Sequence, residues 1–550
     1  MTFPTERIKK DNPFIYLTVF LVALAGYLLT LSHNLVASHD SIGYYNEIEN
    51  GKWLFHPHHL LYNPVSILWL RFWREIGLSG GGSVIVESLN AVFGAAALVV
   101  LFFILRRRLQ ASINAAISTV LIIGSSFGFW FYSACVEVYI IPLFFLIAAL
   151  AILLKPRISI ADAIFIGVLH GVAILFHQIH VLFGFAIVAR LWLRPEDLNA
   201  SRIKTIVCYL LPTLSIIALG YGSVLAFIVK PHDLNDVLYW GTSYAHTLSD
   251  AWNMPSLHSL QKAFVGFSHS IFGGQFLFAI NWFKINLSGF IGGAHELKDE
   301  TFLVSTLSSS LAWVLLMMSM AVGLIIFLLL VRSVKYLKQY LRKPSPAVIA
   351  IGVWMLIYCL YFWAWDPTNL EFWIPQSVLL WLVVYHCLNM LAERQEGVAT
   401  ALQFILPIFV FSVNFFGSIN FLTDEHNDYF YVQSAMLASR TTKNDLVLTD
   451  EQWILESYFT RFLKAKVYSI QDLSDPKNEK YITQGDLSNK MQRTLDAGGT
   501  IVVSTHPDEE FLASNDAQKL HSLLYTTLDT TGLKMTYREF LDDRFLLIRR

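Results

Sequence analysis

Along the chain, runs of about 18–24 uninterrupted apolar residues alternate with short polar loops, and that length crosses a hydrocarbon core of about 30 Å. The runs lie near residues 13–33, 84–105, 113–132, 135–154, 160–177, 180–193, 205–229, 306–331, 347–364, 371–391 and 400–422. None alternates apolar with polar, so helices are predicted and a barrel is not. The expected fold is a polytopic α-helical membrane protein of about eleven spans. After residue 423 the period changes. TKNDLVLTDEQWILESYFTRFLKAKVYSI reads as strand, helix, strand, and GTIVVST at 499–505 and RFLLIR at 544–549 read as further strands. The expected division is therefore a membrane domain over 1–422, with long loops at 34–83 and 230–305, and a small soluble α/β domain over 423–550. Partly apolar pieces around 263–292 suit a position along the membrane surface.

Loop charge gives an orientation. Lysines and arginines gather in alternate loops: Arg7, Lys9 and Lys10; Arg106, Arg107 and Arg108; Lys155 and Arg157; Arg190, Arg194, Arg202 and Lys204; Arg332, Lys335, Lys338, Arg342 and Lys343. The loops SACVE, HQIH and WDPTNLE carry no such charge. The positive-inside bias predicts a cytoplasmic N-terminus. An odd number of spans then places the tail, and the loops 34–83 and 230–305, on the extracytoplasmic side. A bacterial inner membrane is the expected location.

Composition narrows the functions. The chain is 55% hydrophobic and 15% charged, with a net charge of −1; soluble domains carry about 25% charged residues. The near-zero charge argues against nucleic acid as a partner. The four cysteines have no metal-type spacing and read as small buried hydrophobes.

On this topology the ionisable side chains crowd one membrane face. Asp40 and the cluster His56, His58 and His59 lie in the first outer loop, and Glu137 begins span four. His177 and His180 flank the turn between spans five and six, and Asp366 and Glu371 flank the turn in FWAWDPTNLEFWIP. Charged groups at a bilayer face a wet cavity or a partner. Taken singly, each has a plainer reading. Asp40 suits an N-cap of the helix begun by SIGYY. Glu137 suits a solvated helix end, the histidines suit satisfied loop or interface positions, and Asp366–Pro367 is an ordinary turn pair. Trp53, Trp363, Trp365 and Trp373 fit a headgroup-level aromatic belt. HPDEE at 506–510 resembles a metal-ligand cluster and equally a polar loop.

Order and spacing favour function. HDSIGYY follows the first span, then HPHHLLYNP, then the Asn-containing VIVESLNAVFGAAALVVLFFILRRR, then FWFYSACVEVYIIPLFFL, then IGVLHGVAILFHQIH. Over about residues 13–195 this order resembles the GT-C superfamily of membrane glycosyltransferases, and most closely its bacterial branch related to protein O-mannosyltransferases. HPHH stands where that branch has HPPG, and no second acid neighbours Asp40.

The resemblance implies a GT-C-like fold and an inverting transferase. It would use a polyprenyl-phosphate-linked sugar donor at the bilayer surface, with a protein hydroxyl, lipid or glycan as acceptor. It makes Asp40 the catalytic base and Glu137 a second site acid. His56, His58, His59, His177, His180, Tyr44, Tyr139, Asp366 and Glu371 become candidate substrate-binding residues. A divalent metal is left open as a cofactor. The rival expectations are a transporter or flippase of lipid-linked sugars, which calls for mid-bilayer polar residues and two related halves, and a non-catalytic assembly protein.

Overall fold

The computed structural model describes residues 11–78, 80–193, 201–247, 252, 254–291, 297–342, 344–393, 395–449, 453–469, 472, 481–505, 533–540 and 543–550. The expectations for Arg7, Lys9, Lys10, Arg194, Lys343 and HPDEE lie outside them. The chain divides into two compact units, Met1–His33 with Glu47–Thr423, and Asn34–Asn46 with Asp424–Arg550.

In the first unit each apolar run forms a helix. Among the described residues six are long and apolar enough to cross a membrane: Gly82–Arg108, Arg202–Val229, Ser309–Val334, Pro346–Ala364, Leu370–Ala392 and Glu396–Leu422. A seventh is bent by 70° between Ile113–Ser125 and Phe127–Ser133. Pro13–Leu29, Ile140–Leu153, Ile160–Phe176 and Gln178–Trp192 are shorter apolar helices. Polar caps set the starts, as polar side chains that accept from orphan backbone N–H groups do generally. Asn12 accepts from Phe14, Ser112 from Ala115 and Ser345 from Val348, and Ser159 with Asp162 closes a capping box.

Breaks inside apolar surroundings need partners for the freed backbone groups. Two buried asparagines supply them. At the 70° bend the Asn414 amide donates to the carbonyls of Ser125 and Ile271, each at 2.7 Å, and the Trp381 indole donates to Ser126 Oγ at 2.8 Å. Past Ser133 the chain stays irregular until Ile140. There the Asn90 amide donates to the carbonyls of Cys135 at 2.8 Å and Glu137 at 2.6 Å. Gly94, on the same helix as Asn90, packs so closely on Ser133 that a Cβ there would collide with its hydroxyl.

The segment 34–83 is mostly helical. Ser41–Asn50 and Tyr62–Glu75 are helices joined by a turn. The second is amphipathic: it buries Tyr62, Asn63, Ser66, Ile67 and Leu70, and exposes Leu68 and Phe72. That pattern suits a helix lying in the interface.

The second unit is built on a five-stranded sheet of order β2-β1-β3-β5-β4, where β1 is Leu446–Thr449, β2 Lys466–Ser469, β3 Ile501–Thr505, β4 Lys534–Phe540 and β5 Asp543–Arg549. β1 runs parallel to β2 and β3; β5 runs antiparallel to β3 and β4. Alternation along β1 sends Leu446 and Leu448 to one face, against Leu487, Met491 and Leu495 of the helix Gln484–Asp496. It sends Val447 to the other, against Leu437, Leu455 and Phe459.

Residues 34–46 join this unit through specific bonds. Asp428 accepts from the Leu35 N–H at 3.1 Å and from the Tyr458 hydroxyl. The Arg461 guanidinium lies 4.1 Å over the Tyr45 ring and donates to its hydroxyl at 3.0 Å. The sequence reading had placed this segment with the membrane domain.

Candidate functional site

The site is built around the turn FHPHHLLY. Two successive tight turns, closed by His59 N–H to His56 C=O and Tyr62 N–H to His59 C=O, each at 3.3 Å, fold three imidazoles together. Ring centroids are 4.6 Å apart for His56 and His59, 4.2 Å for His58 and His59, and 5.8 Å for His56 and His58. Two other segments fix the turn's backbone. Gln178 N–H donates to His58 C=O at 2.8 Å, Leu61 N–H donates to Leu175 C=O at 3.0 Å, and the Tyr221 hydroxyl donates to Pro57 C=O. Glu47 closes the edge: its Oε2 lies 2.8 Å from His56 Nε2 and accepts from the Asn63 amide at 2.7 Å.

Burial, with the neighbouring imidazoles of His177 and His56, pushes His58 down to about 3. Burial and the same crowding put His59 well below the usual imidazole range. Both rings are therefore neutral at physiological pH and have lone pairs to offer.

A second cluster adjoins through His177, whose chain neighbour Gln178 bonds the His58 carbonyl. The His177 ring packs on Tyr139 at 5.1 Å and on His180 at 5.7 Å. Tyr139 donates to Glu371, whose carboxylate also accepts from the Tyr132 hydroxyl at 3.1 Å and the Asn369 amide at 2.9 Å. The same Asn369 amide lies 3.3 Å from Asp366, a residue with a left-handed backbone at φ 38°. Burial raises the Asp366 carboxyl against the pull of its Asn369 bond and the Lys262 charge. His180 bonds the Tyr358 hydroxyl at 3.0 Å. Tyr139, His180, Tyr358 and Glu371, with apolar neighbours, line a narrow pocket no larger than a water molecule. Glu137 is fully buried, and its Oε2 accepts from Val138 N–H at 2.9 Å.

Of the residues picked from sequence, His56, His58 and His59 form one cluster, and His177, His180, Tyr139, Glu371 and Asp366 form its neighbour. Glu137 sits in the irregular segment ahead of Ile140, not on the helix itself. Asp40 and Tyr44 belong to the other unit. There Asp40 precedes the helix Ser41–Asn50, and its Oδ2 accepts from the Tyr44 hydroxyl at 3.4 Å.

No family model matches the chain, and no curated protein matches it in sequence. Solved structures do match in fold. ArnT from Cupriavidus metallidurans in the apo state matches at TM-score 0.55 and 13% identity, and ArnT bound to undecaprenyl phosphate at 0.54 and 14%. Both matches cover 98% of each chain. The Archaeoglobus fulgidus oligosaccharyltransferase matches at 0.45 and 13%, covering 90% of this chain and 70% of that one. This chain shares its fold with ArnT. The likeness to ArnT runs through the whole length, so it takes in both units. The comparisons do not single out the O-mannosyltransferase branch that the N-terminal motifs resemble.

Sequence reasoning passed over several residues that build the site. Glu47 stands nine positions before His56, where helical spacing to the HPHH turn gives no cue. Asn90 sits inside an apolar helix, and Asn63 in the first turn of the amphipathic helix Tyr62–Glu75. Tyr132 is hidden in an aromatic run. Glu87, also fully buried, lies on the helix that carries Asn90. A carboxylate in an apolar span was the available signal for it.

Proposed function

We propose that this chain is a membrane glycosyltransferase that moves a sugar from a polyprenyl-phosphate-linked donor to an acceptor at the extracytoplasmic face. The observation that carries the reading is the conjunction of a GT-C fold with a dense cluster of imidazoles, tyrosines and carboxylates in loops at the ends of the membrane helices. In this reading the eleven apolar helices are all membrane spans, the N-terminus is cytoplasmic, and the loops carrying the clusters face outward. The prenyl tail stays in lipid while the sugar phosphate reaches the loops. The amphipathic helix Tyr62–Glu75 is placed to line that route.

The reaction needs an acceptor oxygen to attack the anomeric carbon while the bond from that carbon to the phosphate oxygen breaks. Polyprenyl phosphate leaves with the bonding electrons, and a carboxylate takes the acceptor's proton. We assign that base to Asp40, the acid of the first outer loop; a positioned base contributes about 10²–10⁴-fold. We assign Glu137, Tyr139 and Glu371 to orienting the sugar and acceptor hydroxyls. The histidine turn receives the phosphate, where fixed donors or a cation stabilise developing charge.

The test is transfer by the full chain in nanodiscs supplied with polyprenyl-phosphate-linked sugars. Asp40→Asn should abolish transfer and leave folding intact. An active Asp40→Asn protein removes the assignment of the base, and a wild-type chain inert toward every such donor removes the reading.

A further inference from the structure

The histidine turn has a geometry that substrate binding alone does not call for. Three imidazoles from four consecutive residues offer ligand nitrogens that all lie within 4.8 Å of one another. His56 is further ordered by Glu47, whose carboxylate bonds Nε2 and leaves Nδ1 to carry the ring's lone pair. A carboxylate behind a histidine is the usual support of a metal-ligating imidazole, fixing its tautomer and raising its basicity. The backbone is held in advance by Gln178, Leu175 and Tyr221, so little ordering remains for a ligand to impose.

We propose that His56, His58 and His59 form a three-imidazole site for a divalent cation of the zinc class, with Glu47 as its supporting carboxylate. All-nitrogen ligation selects zinc, cobalt or nickel over magnesium or calcium, which require oxygen. Three protein ligands leave the fourth tetrahedral position open, the pattern of catalytic rather than structural zinc sites. An anionic oxygen fits that position. If the transferase reading holds, it is an oxygen of the donor phosphate; cation binding itself does not rest on that reading.

The experiment measures metal without donor or acceptor. The purified full chain is stripped with chelator and titrated with Zn²⁺, Co²⁺ and Mg²⁺, and metal content and the visible absorption of the Co²⁺ form are read. The expected result is one equivalent of Zn²⁺ or Co²⁺, a tetrahedral Co²⁺ spectrum, and no response to Mg²⁺. His56→Ala, at the half-exposed edge of the cluster, should lose the spectrum, and His59→Ala should do the same. Glu47→Gln should weaken affinity about 10–100-fold while leaving the three ligands in place. Replacement of the exposed His426, far along the chain in the other unit, should change nothing. Should a ligand variant fail to fold, Glu47→Gln in the folded protein still decides. Zn²⁺ affinity equal in wild type, His56→Ala and Glu47→Gln overturns the site. So does Zn²⁺ binding no tighter than Mg²⁺, which would leave the turn as a metal-free cradle of neutral donors. A metal-binding chain without transferase activity would retain this site and refute only the function proposed above.

Discussion

Replacing Asn90 tests how the candidate site is held in place. Its amide bridges the carbonyls of Cys135 and Glu137, at 2.8 and 2.6 Å, and the side chain is fully buried. Asn90→Ala removes both bonds. A buried polar group left without its partner costs about 1–3 kcal/mol. Two of them, partly relieved by entering water, cost about 2–4 kcal/mol, or roughly 30- to 1,000-fold in the equilibrium for local opening at 1.4 kcal/mol per tenfold. Cys135 reports on it directly, because it is buried and its own carbonyl is one of the acceptors. The assay is thiol labelling of the folded protein in detergent, resolved by peptide mass spectrometry so that Cys387, also buried, serves as internal control. Cys135 should label faster by a factor in that range, with Cys387 unchanged. Asn90→Asp, which presents acceptors to acceptors, should be worse than alanine. Labelling of Cys135 at the wild-type rate in both variants would refute the claim that this amide pins the segment carrying Glu137.

Three further outcomes are expected. Glu371→Gln exchanges a carboxylate accepting from Tyr132, Tyr139 and Asn369 for an amide with one acceptor oxygen. It should cost about 2–4 kcal/mol at about 1.5–3 per charged hydrogen bond, and a double-mutant cycle with Tyr139→Phe should show coupling rather than additivity. Asp11, nearly buried against Arg106 at 2.5 Å, is raised by burial but held below its usual value by bonds from Arg106 and Tyr16 and the charges of Arg106 and Arg107. Because its folded value is the lower one, its stabilisation is present above about pH 4 and is lost as pH falls further. Asp11→Asn should lower stability at neutral pH by removing the charge partner of Arg106 and Arg107, and its acid-unfolding curve should lack that loss; a curve superimposable on wild type counts against the pair. Arg461→Ala should loosen residues 34–46 from the C-terminal unit by removing the stack on Tyr45 and the bond to its hydroxyl. Faster amide exchange over 34–46, with the sheet unchanged, is the readout.

Much of the membrane unit was legible because one variable, uninterrupted apolarity, sets both helix and span. Each of the runs read from sequence is mainly helical in the structure, but the run at 113–132 is broken by the 70° bend and the run at 135–154 becomes helical only from Ile140. The misses lie where that variable is silent. The helix Tyr62–Glu75 carries Arg71, Arg74 and Glu75 on its wet face, so its average polarity resembles a loop. The bend at Ser125 depends on Asn414, far along the chain, and local propensity cannot show it. In the tail, β1 and β3 have the apolar runs of buried strands, whereas β4, KMTYREF, is an edge strand broken up by Lys534, Arg538 and Glu539 and reads as coil. For the site, HPHH and the WDPTNLE turn stood out because unlike residues cluster locally. The partnership of Tyr139 with Glu371 spans more than two hundred residues and is a product of the fold. The assignment of residues 34–46 to the C-terminal unit was illegible for the same reason: Asp428 and Arg461 make those contacts from the opposite end of the chain.

The most direct test of the proposed chemistry is a cryo-electron microscopy structure of the full chain in nanodiscs with a non-hydrolysable polyprenyl-phosphonate sugar. The proposed function predicts phosphonate density in contact with the His56–His59 turn, the prenyl chain running into lipid, and a sugar hydroxyl within hydrogen-bonding distance of Glu371 or Tyr139. Headgroup density that avoids this turn, with the ligand seated elsewhere on the protein, would contradict it.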